Sequence, residues 1–210
     1  MVENASNSTG MRRKPRQARS QERVNRILDV AEALFIAEGY NATTTNAIAT
    51  RANVSIGSLY QFFPDKAAIL QALAVRYGEL LHQRLDILSN AELAKLPLPA
   101  YVDQLIDVSD QFFSEHPGYY AIFMEVQGTM PELEEIEDAA DTLLIQDFAA
   151  SLAQRGLDST DCEAIAFVLV KAIGTLLWLS LSQEKSFRQR LVAETKRLTL
   201  SYLQSYVQVN

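Results

Sequence analysis

The chain has 210 residues, 48% of them apolar, with eight Gly, six Pro and a net charge of −7. That apolar share supports one or two domains with real cores, and the low turn content points to an all-α protein. A single cysteine, Cys162, excludes an internal disulfide and suits a reducing cytoplasm. The N-terminal MVENASNSTGMRRKPR is basic and polar, without the apolar stretch of a signal peptide. Enzymatic signatures are missing: the chain has no Gly-rich phosphate loop, no G-x-S-x-G elbow and no H-E-x-x-H. His82, His116 and Cys162 share no ligand spacing. No catalysis, metal or cofactor is expected.

The charge is segregated. Residues 1–66 carry nine Lys/Arg against six Asp/Glu, a balance of +3, while residues 67–210 carry ten against twenty, a balance of −10. A basic head on an acidic body is expected when one end meets phosphates and the other does not.

In chain order, residues 1–19 read as a disordered basic arm, and Arg12, Arg13, Lys14, Arg16, Arg19 and Arg23 lie close together in and just after it. Such an arm either solubilises the chain or follows DNA, along the backbone or into a minor groove. A helix begins near Ser20 and runs to about Glu38, with Ile27, Ala31, Leu34 and Phe35 as its inner stripe and Gly39 in the C′ position. Thr44 caps a short helix over Thr45–Arg51, Asn53 makes a tight turn, and Ser55 opens a second short helix to Phe62. At 100° per residue Leu59 points back toward the first short helix. Gly57 and Gln61 point nearly the opposite way, with Ser58 and Tyr60 on the flanks. A long helix starts at Pro64-Asp65-Lys66.

Asn90–Pro99 is a Pro-rich connector, followed by a helix from about Ala100 to Glu115 that His116-Pro117-Gly118 stops. Tyr119–Val126 is short and apolar. Three capping boxes, Thr129/Glu132, Thr160/Glu163 and Ser186/Gln189, open helices to Arg155, Ser182 and about Val207. About nine helices and no strand result.

The run Thr44, Ile48, Ala49, Ala52, Val54, Ser55, Gly57, Leu59, Tyr60, Phe62, Phe63, Lys66, Ile69 and Leu70 resembles the DNA-binding domain of the tetracycline-repressor (TetR) family of bacterial transcription regulators. The resemblance implies a helix-turn-helix domain over 20–66 and a larger helical effector-binding and dimerisation domain over 67–210. It places Thr44, Thr45, Ser55, Tyr60 and Lys66 on phosphates. Ile56, Gly57, Ser58 and Gln61 then face base edges, where Gln61 can read adenine and Ile56 can meet a thymine methyl. Arg12 and Arg13 of the arm complete the DNA-contacting set.

The same resemblance implies a homodimer through the last two helices. One short reading helix makes too few base contacts for a unique site, and a two-fold dimer doubles them on a palindromic operator. Ala164–Leu181 is long enough for a membrane span, but Lys171 at its centre costs ~3 kcal/mol on insertion scales, so no membrane is expected. The acidic run Glu132, Glu134, Glu135, Glu137, Asp138 and Asp141 is a solvated helix start or a lure for a cationic effector. Aromatic residues crowd the acidic body, and Tyr101, Phe112, Tyr120, Phe123, Met124, Phe148, Phe167 and Trp178 are candidates to line an effector cavity. Together these readings make a cytoplasmic DNA-binding regulator, a repressor released by a small molecule. The alternative is an activator or partner-controlled DNA-binding protein without a small-molecule ligand.

Overall fold

Eight helices longer than a single turn, and no strand, make up the described residues of the computed structural model, which are 18–86, 95–119, 131–157 and 159–206. They are α1 (Ala18–Glu38), α2 (Thr45–Arg51), α3 (Ile56–Phe62), α4 (Lys66–Asp86), α5 (Leu98–Glu115), α6 (Pro131–Gln154), α7 (Ser159–Ser180) and α8 (Lys185–Gln204). Residues 117–119 are helical as well. The all-α expectation holds. Arg12 and Arg13, most of the connector before α5, Tyr120, Phe123, Met124, Thr129 of the Thr129/Glu132 box and Val207 lie outside the described residues.

The chain divides into two compact units. The first holds the described residues up to Gly78 and those from Gly118 to Glu137; the second holds the described residues of Glu79–Pro117 and those from Asp138 onward.

In the first unit, α1 buries Val24, Ile27, Leu28, Ala31, Leu34 and Phe35, the i, i+3, i+4 pattern of a one-sided helix. The unit's buried apolar seam also holds Ile48 and Ala49 of α2, Leu59 and Phe62 of α3, and Ile69, Leu70 and Leu73 of α4, and α2 packs against both α1 and α3. Phe63, fully buried, joins it from the junction between α3 and α4. The turns are built by their sequence. Gly39 (φ 84°) ends α1, and Asp65 Oδ1 accepts from the Ala68 N–H, 2.8 Å, to cap α4.

In the second unit α5, α7 and α8 pack against one another. Their buried residues include Tyr101, Val102, Leu105, Ile106, Phe112 and Phe113 of α5 and Ile165, Ala166, Leu169, Ile173 and Leu177 of α7. The buried positions of α8 are Thr195, Thr199 and Leu203, while Leu198 faces outward. Charge pairing explains the orientation. Arg188 Nη2 donates to Asp110 Oδ1 (2.5 Å) and Ser114 Oγ (2.7 Å), and Lys196 Nζ pairs with Asp107 (2.7 Å) and Asp103 (3.6 Å), all four partners on α5. Burial raises the Asp110 carboxyl above its ordinary range even though Arg188 pulls it down.

Several boundaries shift. α5 starts at Leu98, two residues early, because Pro99 sits in its first turn, where a backbone N–H would have no partner anyway. α7 already includes Ser159 and ends at Ser180, so Thr160 lies inside the helix. α8 is preceded by Glu184 and has no side-chain cap, so the Ser186/Gln189 box does not form. Gly156 (φ 88°) closes α6: its N–H and that of Leu157 bond the carbonyls of Ala153 and Leu152.

Phe63→Ala is expected to lower unfolding free energy by ~3–5 kcal/mol, the range for a fully buried phenylalanine, as measured by urea denaturation. A loss below ~1 kcal/mol would show that the α3–α4 junction is not part of the core.

Candidate nucleic-acid interface

Seven residues form no stable helix alone, so α2 and α3 are held by caps, a turn and the seam behind them. Thr44 (ψ 153°) accepts from the Ala47 N–H and Ser55 (ψ 147°) from the Ser58 N–H, both at 3.1 Å. Each cap uses the side-chain oxygen as acceptor and leaves the hydroxyl proton able to donate to a phosphate oxygen. Between the helices Asn53 stands at φ 52°. Its N–H bonds the Thr50 carbonyl at 3.2 Å and the Val54 N–H bonds Ala49 at 3.0 Å, the paired pattern of a Schellman turn. Asn supplies the left-handed residue that Gly usually provides.

On α3, Leu59 is fully buried and sets the helix's rotation. Gly57 and Gln61 are exposed on the opposite side, and nothing lies within 4 Å of where a Cβ on Gly57 would stand. Both flanks are tied to other helices. Tyr60 Oη and Thr45 Oγ1 of α2 are hydrogen-bonded at 3.1 Å, and Arg23 Nη1 of α1 donates to Ser58 Oγ at 3.3 Å. The outward arc from Tyr60 through Gly57 and Gln61 to Ser58 is therefore clamped at each edge. Ile56, at the start of α3, is 36% exposed and lies on the rim.

Lys66 departs from its expected place on a phosphate. Its Nζ donates to the carbonyls of Tyr40 (2.5 Å), Thr43 (2.8 Å) and Asn41 (3.3 Å) and sits 4.3 Å from the centre of the Tyr40 ring. An ammonium has three protons, and here three carbonyls of the α1–α2 loop take them. Lys66 thus ties α4 to that loop. Arg23 is the converse case. The sequence groups it with the basic run that begins at Arg12, and its approach to α3 spans 35 positions and leaves no periodic signal.

The aromatic candidates of the second unit separate. Tyr101 and Phe148 come together, their rings stacked at 6.3 Å, with the Arg155 guanidinium 3.9 Å over Tyr101 and Ser151 Oγ 3.0 Å from its hydroxyl. Burial raises the Tyr101 phenol's pKa, against the pull of Ser151 and Arg155. Phe112 is buried between the rings of Phe113 and His116. Trp178 is half-buried. Phe167 does not join them: it is 53% exposed, one of an outward stripe on α7 with Val168 and Leu179, because the buried positions Ile165, Ala166, Leu169 and Ile173 occupy the other side. In the acidic run, Asp138 and Asp141 both bind Lys171 of α7, at 3.1 and 2.6 Å. Burial disfavours the Lys171 ammonium, but the two carboxylates outweigh it and hold its pKa above the ordinary value. Among the described residues no group of three or more His, Cys, Asp or Glu could hold a metal ion.

A capped helix, a left-handed turn and a second helix presenting a small polar arc define a helix-turn-helix DNA-reading module. Residues 27–73 match the family model of bacterial regulatory proteins of the tetR family, and residues 97–203 match that of the tetracyclin repressor-like C-terminal domain. The chain belongs to the TetR family of bacterial transcription regulators. It is 30% identical to the HTH-type transcriptional regulator YuxN of Bacillus subtilis over 57% of this chain and 40% of that one. It is 41% identical to the HTH-type transcriptional repressor KstR of Rhodococcus jostii over 30% of each chain. The match thus spans less than half the length of these two relatives. A solved TetR-family regulator from Streptomyces coelicolor aligns with 88% of this chain and 99% of its own, at 26% identity and a TM-score of 0.67.

Lys66→Met, which keeps the aliphatic stem, is expected to cost ~1–3 kcal/mol of stability in chemical denaturation by leaving three carbonyls without their donor. The salt dependence of DNA binding should keep its slope. A fall of about one in that slope would return Lys66 to the phosphates.

Proposed function

We propose that this chain is a sequence-specific DNA-binding repressor that acts as a homodimer on a palindromic operator and is released by a small-molecule effector. The observation that carries the reading is the arc on α3, where Gly57 and Gln61 face outward between two clamped flanks. An α-helix with short outward side chains enters a major groove and brings an amide to a base edge, where Gln pairs with adenine N6 and N7. Thr44, Ser55 and whichever of Thr45 and Tyr60 accepts in their mutual hydrogen bond offer hydroxyl donors to phosphates beside the arc, and Arg12 and Arg13 add charge from the arm. Residues 20–66 are the reading module, and residues 67–210 bind the effector and dimerise.

Two outward apolar stripes support the dimer. Phe167, Val168 and Leu179 on α7 and Phe187 and Leu198 on α8 are each more than 40% exposed. Large apolar side chains gathered on two neighbouring helices are what a partner subunit covers. The same surface accounts for the apolar character of α7, which by length and composition alone could cross a membrane. Its Lys171 is paired with two carboxylates of α6, as suits a helix packed in protein and a cytoplasmic chain. The effector is taken by the second unit, where the candidates Tyr101 and Phe148 come together. The name of the Rhodococcus relative, a repressor, favours the negative sign of regulation.

Selection of bound duplexes from a random pool at physiological salt tests the reading. Enrichment of a palindrome is expected, and salt-sensitive binding without enrichment would overturn it. On the selected site Gln61→Ala is expected to cost ~1–3 kcal/mol and to relax preference at one base pair per half-site; uniform weakening across sequences would remove Gln61 from base reading. Phe167→Glu with Leu198→Glu is expected to give a monomer in sedimentation velocity, and an intact dimer would place the interface elsewhere.

A further inference from the structure

The chain leaves the first unit after Gly78 and re-enters it at Gly118. These two places touch. Tyr77, the residue before Gly78, is 2% exposed and donates its phenolic proton to Glu32 Oε1 of α1 at 2.5 Å. Burial, then the Glu32 carboxylate, push its pKa far above the usual phenol value, so the proton stays in place throughout the neutral range. The ring of Tyr119 meets that of Tyr77 edge-on at 5.3 Å. Gly118 lies directly over the hydrogen bond: a Cβ there would stand 2.6 Å from Tyr77 Oη, 2.9 Å from Glu32 Oε1 and 3.0 Å from Ile36 Cδ1. The obstruction is an immobilised hydroxyl, so it cannot yield as a loose side-chain end would. Room, rather than backbone conformation, makes glycine necessary at this position.

We propose that Glu32, Tyr77 and Gly118 form a clasp that positions the reading head for two-site DNA binding. It pins the chain's exit from the first unit and its re-entry to the same point on α1. The head is then held at two points of the chain, and a displacement arriving along α4 or at residue 118 moves α1 as a body. The device fits a head that must meet a second head at a fixed spacing. It rests on the two-fold operator reading above.

The test uses the full-length protein and two duplexes, the palindrome selected by the wild type and a single half-site, in fluorescence anisotropy at one salt concentration. Gly118→Ala is expected to lower affinity for the palindrome by about tenfold or more, because the link between two bound heads is what a displaced head loses. Half-site affinity should stay within about twofold, since each head still reads its bases. Tyr77→Phe in the Gly118→Ala chain deletes the atom at 2.6 Å and should restore most of the palindrome affinity. Tyr77→Phe alone, which adds no atom, should weaken the palindrome in the same direction and spare the half-site. Equal loss on both duplexes would mark the contact as general packing of the head and overturn the clasp. So would wild-type palindrome binding by Gly118→Ala, or a double variant no better than the single. A wild type that binds palindrome and half-site alike would sink the two-fold reading itself, and the clasp with it.

Discussion

Everything at the DNA-facing end depends on the burial of Leu59. A seven-residue helix has neither the length nor the hydrogen bonds to persist alone. With Leu59 fully buried and α3 packed on α2, the rotation of α3 has one solution. Gly57 and Gln61 then point outward because nothing else is left for them. The caps at Thr44 and Ser55 and the left-handed Asn53 set where each short helix begins and how sharply the chain turns between them.

The structure adds a brace at every edge of that module. Thr45 holds Tyr60, Arg23 holds Ser58, and Lys66 holds the loop from Tyr40 to Thr43. The first two join residues from different helices and the third ties a helix to a loop, and each uses a side chain that the sequence would send to DNA. Their shared effect is to remove slack. Base reading through one or two side chains per head needs the helix placed to a fraction of an ångström, and a clamped frame supplies that better than a longer but free helix would.

In the second unit charge does what apolar periodicity does in the first. α8 turns its threonines inward because Arg188 and Lys196 meet a file of three aspartates on α5. These pairs are half-exposed and individually weak, but they choose among rotations of a helix whose apolar residues lie on more than one side. Leu198 is left on the surface, with Phe187 and the Phe167 stripe, in the arrangement a second subunit would bury.

The sequence by itself determined the all-α class, the bounds of α2, the caps of α2 and α3, the turn at Asn53 and the outward arc of α3. All of these follow from interactions within four or five positions, through helical period, capping oxygen and tolerance of positive φ. What only the tertiary structure decided is which charges and hydroxyls meet across the fold. Lys66 reaches back 23 to 26 positions to its carbonyls, Tyr77 reaches 45 to Glu32, and Gly118 closes over both. A lysine at a helix start reads equally well as a phosphate ligand or as a brace. The choice depends on where a distant loop places its carbonyls, and no local period in the chain records that.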